Sequence, residues 1–103
     1  MKIVRVHYTT RAEYAATNQA NINGIVNELR QINHPGIKYS CYVLPDGKTF
    51  MHLDHFENEA AHEFLTSLPS FKKFADELHA SSLEVEPKLE ILNLVAATDD
   101  FFA

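Results

Sequence analysis

The chain has 103 residues, 46% of them apolar and 22% charged, with a formal charge of −5. This is the make-up of one soluble globular domain spanning residues 1–103, and such a chain buries somewhat over ~60% of its unfolded surface, enough for a core without staples. The negative balance and the lack of any Lys/Arg cluster exclude a nucleic-acid surface, which needs positive charge to displace counterions, and no apolar run nears the ~20 residues of a membrane span.

The single cysteine, Cys41, makes no internal disulfide, so the fold is independent of an oxidising compartment. No signal-peptide pattern opens the chain, and a cytoplasmic location is the expectation. Lys2 to Thr9 reads as a strand, with Val4, Val6 and Tyr8 on one face and Ile3, Arg5, His7 and Thr9 on the other. Thr10 with Glu13 three residues on is a capping-box pattern and predicts a helix from about Arg11. Tyr14, Asn18, Ile22, Ile25, Leu29 and Ile32 give that helix one stripe, and Asn33-His34-Pro35-Gly36 ends it.

Next come two apolar-rich runs, Ile37–Leu44 and Lys48–Phe56, around Pro45-Asp46-Gly47. Proline presets φ, aspartate follows it in the turn, and glycine takes the positive φ that closes a hairpin with a bulge at Gly47. Ile37, Tyr39, Cys41 and Val43 alternate with Tyr42 and Leu44; Phe50 and Phe56 alternate with Met51 and Leu53. Large apolar groups on both pleat faces ask for cover on both sides, unlike a half-solvated antiparallel sheet.

Asn58 caps a second helix with Glu59 at its positive end, and Ala61, Phe64, Leu65 and Leu68 form its inner face. Pro69 breaks the run and fits the first turn of a continuation through Phe71, Phe74, Ala75 and Leu78. Leu83 to Pro87 reads as loop or a short edge piece, Leu89 to Ala96 as the last strand, and Thr98 to Ala103 as a tail. The element order is strand, helix, strand, strand, helix, strand. Right-handed crossovers then predict a ferredoxin-like α+β fold, βαββαβ, whose four-stranded antiparallel sheet carries both helices on one face. An uncovered apolar second face is larger than monomers usually tolerate, which predicts a two-fold homodimer joined sheet to sheet.

The hairpin, then Phe56-Glu57-Asn58-Glu59-Ala60-Ala61-His62, then Leu68-Pro69-Ser70-Phe71-Lys72-Lys73-Phe74, resembles the dimeric α/β-barrel superfamily in its antibiotic-biosynthesis-monooxygenase-like branch. The matching positions are Phe56, Asn58, Ala61, Pro69, Phe71 and Phe74. The resemblance implies a homodimer with a pocket between each sheet and its own helices. It also implies, for particular members, cofactor-independent oxygenation of polycyclic aromatics or degradation of haem. Leu65 stands where the branch commonly has a helical histidine, and the chain lacks the tryptophan that haem-degrading relatives use.

Six histidines raise the question of a metal, but on a strand His52 and Asp54 share a face while His55 points away, so no metal site is expected. His52, between Phe50 and Asp54 on a strand beside the first, is the candidate base. Arg5 is the candidate partner of a developing oxyanion, with His7 or Tyr39 as orienters. Tyr39, Phe50, Asp54, Phe64 and Leu68 are the candidate substrate contacts. The competing assignment makes Arg5, His7, His52 and Asp54 a structural polar network or a patch in the dimer seam. Burial of Cys41 among large neighbours argues against a nucleophilic role. Two functions follow: a monooxygenase-like protein that takes a small apolar aromatic ligand with no cofactor, or a non-catalytic homodimeric ligand-binding or accessory protein of the same fold.

Overall fold

The computed structural model describes residues 1–102. Its elements are β1 (Lys2–Thr9), a 3-10 turn (Ala12–Tyr14), α1 (Ala15–Ile32), β2 (Ile37–Val43), β3 (Thr49–Phe56), α2 (Glu59–Ser67), α3 (Pro69–Ala80) and β4 (Val85–Leu92). The strands form one antiparallel sheet in the order β2-β3-β1-β4, the ferredoxin-like arrangement expected. Among the described residues, no helix is long and apolar enough to cross a membrane.

Local chemistry explains most of the boundaries. At the hairpin tip the Gly47 amide donates to Leu44 O, Gly47 takes φ 75°, and Asp46 Oδ1 accepts from the amides of Lys48 and Thr49. That is a turn followed by a one-residue bulge. Asn58 Oδ1 accepts from the Ala61 amide at 3.0 Å, the side-chain cap read from sequence. Pro69 sits in the first turn of α3, where its missing N–H costs nothing. Glu28 of α1 accepts from both the amide and the hydroxyl of Ser70, which satisfies the start of α3 and ties it to α1.

Two boundaries differ from the sequence reading. Thr10 makes no capping box: its amide and hydroxyl both reach Lys48 O, so it continues the sheet, and Glu13 pairs with Arg11. The helix proper therefore opens at Ala15, after the 3-10 turn. The last strand runs Val85–Leu92, four residues earlier at each end than Leu89–Ala96. Pro87 misled there. It is tolerated because β4 is an edge strand and because the register shifts between His7 and Thr9, leaving Pro87 at a bulge.

Val4, Val6 and Tyr8 of β1 and Phe50, His52, Asp54 and Phe56 of β3 share the face that meets the helices. With Ile22, Ile25, Ala61, Leu65, Leu68, Phe74 and Leu78 they surround the core. The opposite, open face mixes Ile3, Tyr42, Met51, Leu53 and Leu92 with Arg5, His7, Lys38, His55, Lys88 and Glu90. One end of it is covered by the chain's own tail. Phe101 stacks on His55 at 4.0 Å between centroids, and Lys38 Nζ lies 5.7 Å from the Phe102 ring. Of the expected tail, Ala103 lies outside the described residues.

Candidate functional site

A cavity of about 530 Å³ opens between the sheet and helices α2 and α3. Its walls are mostly apolar: Val4, Val6 and Leu89 from the sheet, Leu65 from α2, and Phe71, Phe74 and Leu78 from α3. Polar side chains enter at two levels. Tyr8, Tyr39, His52 and Asp54 stand on the sheet, while Asp76, His79 and Glu86 are exposed at the mouth. The β4 bulge explains Glu86. Where one residue of β1, Tyr8, meets two of β4, both Glu86 and Pro87 turn to the helix side.

On the sheet a hydrogen-bonded line runs across three strands. Asn18 Nδ2 of α1 donates to Tyr8 Oη at 2.9 Å, Tyr8 Oη lies 2.8 Å from His52 Nε2, and His52 Nδ1 lies 2.8 Å from Tyr39 Oη. His52 is only 4% exposed, and burial holds its pKa down at about 4. At neutral pH it is therefore an uncharged imidazole with one donor and one acceptor nitrogen. Since the Tyr8 oxygen already accepts from Asn18, its own O–H is aimed at Nε2. Nδ1–H then donates to Tyr39, and the Tyr39 O–H is left to point onward. Burial pushes both tyrosine hydroxyls well above their ordinary range, so both stay protonated.

Asp54 is the group the line does not absorb. It is 7% exposed, lines the cavity, stands directly opposite Tyr39 on β2, and its Oδ1 has no hydrogen-bond partner. Burial raises its carboxyl pKa to about 8. A carboxyl that titrates near neutrality inside an apolar cavity can hold a proton or remove one from a bound molecule.

The residues singled out from sequence divide. Tyr39, His52 and Asp54 come together in the cavity. Arg5 and His7 do not. Both lie on the open face, where Glu90 Oε1 is 2.7 Å from Arg5 Nη1 and 3.4 Å from His7 Nε2, and Arg5 Nε also reaches Met51 Sδ. One-residue alternation puts them behind the sheet from His52, so they cannot orient or neutralise anything held beside it. Phe50 lies beneath the site, stacked on Tyr8 at 5.7 Å. Phe64 packs on His34 at 4.8 Å, outside the cavity lining, and Leu68 belongs to the core below. Sequence reasoning missed Asn18, a fully buried polar residue in an otherwise apolar helical stripe. That placement was its one visible signal. Among the described residues, no group of three or more His, Cys, Asp or Glu side chains is placed to hold a metal ion.

No protein-family model and no curated protein matches the chain. Solved structures do. A putative antibiotic biosynthesis monooxygenase from Deinococcus radiodurans superposes with a TM-score of 0.75 at 20% identity, covering 97% of this chain and 98% of that one. One from Bacteriodes thetaiotaomicron gives 0.82 at 11% identity, covering 96% and 93%. SnoaB from Streptomyces nogalater, a cofactor-independent oxygenase, gives 0.69 at 12% identity over 96% and 98%. The chain has the antibiotic biosynthesis monooxygenase fold.

Proposed function

We propose that this protein is a homodimer that binds a small apolar aromatic metabolite in the sheet–helix cavity and oxidises it with molecular oxygen, without a cofactor. The single observation that carries the reading is Asp54: a buried, unpartnered carboxyl with its pKa near 8, beside the Tyr39–His52–Tyr8 line in an apolar cavity. Cofactor-free oxygenation needs a base to convert a phenol-like substrate into an electron-rich anion. It also needs donors for the charged oxygen and a dry surround. Asp54 supplies the base once ionised. The Tyr39 hydroxyl, held by His52, supplies the donor. For an anthrone-type substrate the overall change is balanced: a ring methylene and O2 give a carbonyl and water.

His52, first read as the base, serves here as the positioning residue, since an imidazole with its pKa near 4 is a weak proton acceptor at neutral pH. The homodimer is supported by apolar residues left exposed along and beyond β4, namely Val85, Leu89, Ile91, Leu92 and Leu94, with Val95 at 99%.

The test follows oxygen uptake with hydroxy-quinone and anthrone-type compounds in the wild type, Asp54→Asn and His52→Ala. Uptake in the wild type that collapses in Asp54→Asn supports the reading. Binding with no uptake in any of the three overturns the catalytic part. It leaves a ligand-binding or accessory dimer, a reading favoured by one observation: both His52 ring nitrogens are already engaged by tyrosines.

A further inference from the structure

The acidic groups of the cavity face no basic side chain of lysine or arginine among the described residues. Three carboxyl side chains line it, Asp54 within and Asp76 and Glu86 at the mouth. Burial disfavours a positive charge on two of the histidines that line it, His52 and His62. His79, exposed at the mouth, lies one helical turn from Asp76. An anion entering this space passes two carboxylates and meets a third carboxyl with no lysine or arginine to pair with. Desolvation without a partner is the costliest arrangement for a charge.

The interior also holds one unfilled hydrogen-bonding position. Asp54 Oδ1 is a buried acceptor with no donor in the protein, and such a vacancy is costly unless a bound molecule fills it. Tyr8 and His52 satisfy one another, while the Tyr39 O–H, which accepts from His52 Nδ1–H, is left as a donor that an oxygen of the same ligand can accept from. We infer that the cavity takes an apolar ring system whose inner end carries a hydrogen-bond donor, a phenolic O–H or its equivalent, directed at Asp54 Oδ1, and that it rejects ligands bearing a carboxylate or another negative group. This deepens the reading of the cavity as an aromatic-ligand site and rests on it. The donor does two things at once. It satisfies the orphan oxygen, and it places the proton that oxygenation must remove against the one carboxyl able to take it.

Three probes of nearly equal ring area separate the terms: 2-naphthol with a donor, 2-methoxynaphthalene with none, and 2-naphthoate with a negative charge. Dissociation constants are measured at about pH 8.5, above the Asp54 pKa of about 8 so that the carboxylate accepts, by calorimetry or intrinsic fluorescence, on the wild type and on Asp54→Ala, with Asp54→Asn as a variant that keeps the side-chain shape. In the wild type the naphthol binds about tenfold or more tightly than either of the others, the ratio expected for one buried hydrogen bond. In Asp54→Ala the advantage of naphthol over the methoxy compound disappears. The wild-type ranking needs no variant, so a misfolded Asp54→Ala leaves the test intact. Equal binding of naphthol and methoxynaphthalene overturns the donor assignment while leaving an aromatic site in place. Naphthoate binding as tightly as naphthol overturns the charge assignment in the same way. If none of the three binds, the aromatic-ligand reading falls and takes this inference with it.

Discussion

Replacing Asp54 with asparagine should make the protein more stable at alkaline pH, against the usual expectation for a buried polar substitution. In the folded chain the Asp54 carboxyl titrates near 8, where an ordinary aspartate titrates near 3.8. The folded state thus holds a proton that the unfolded chain has lost. Its contribution to stability is complete below pH 4 and is lost as pH rises to about 8, at ~1.4 kcal/mol per pH unit. His52 works in the opposite direction. Its pKa falls from 6.5 to about 4, so stability is present above 6.5 and lost as pH falls toward 4. Between roughly pH 4 and 6.5 the two slopes cancel, and above 6.5 Asp54 acts alone.

The wild type should therefore lose about 2 kcal/mol between pH 6.5 and 8, whereas Asp54→Asn, which mimics the protonated side chain, should stay level. Partly buried His55 and His62 titrate in both proteins and drop out of the difference. With a urea m-value of roughly 1–1.5 kcal/mol/M for a chain of this size, the gap between the two midpoints widens by about 1.5 M from pH 6.5 to 8. Urea titrations at half-unit pH steps measure it. Parallel profiles across that window would refute the reasoning, because they would mean Asp54 is ionised and satisfied in the folded protein at neutral pH.

Tyr8→Phe removes the hydroxyl between Asn18 and His52 and leaves two buried polar groups unpaired, so a loss of about 1–3 kcal/mol by urea unfolding is expected. Phe74→Ala removes a buried ring that packs against His52 at 5.3 Å and Phe71 at 5.8 Å, and should cost about 3–5 kcal/mol by the same assay. It should also weaken naphthol binding, since the ring is part of the cavity wall. The Cys41 thiol, pushed up to about 12 by burial and then by Asp54, should react with a disulfide reagent at pH 8 orders of magnitude more slowly than a free cysteine; full labelling within minutes under native conditions would count against that environment.

The elements that could be read in advance are those fixed by a few neighbouring residues. Pro45-Asp46-Gly47 carries the turn, Asn58 caps a helix, and Pro69 starts one, because each acts on backbone within three or four positions. The errors arose where a distant partner decided. Thr10 looked like a cap but is held by Lys48 across the sheet. Leu83 to Pro87 reads as loop or a short edge piece, and pairing with β1 makes Val85–Pro87 the start of edge strand β4, with Pro87 at a bulge opposite Tyr8. Arg5 and His7 looked like neighbours of His52, and the pleat puts them behind it.

Alternation and turn chemistry alone determined that this chain makes four strands, a hairpin and two runs of helix in a ferredoxin-like order, since both depend on dihedral preferences and side-chain period along the chain. Which pleat face the helices would cover, and so that His52, Tyr39, Tyr8 and Asp54 would share one cavity with a helical asparagine, was decided only by tertiary packing. The reason is that a strand with large side chains on both faces has two surfaces of similar hydrophobicity. Only the docking of α1, α2 and α3 distinguishes them, and with them the buried carboxyl from the exposed one.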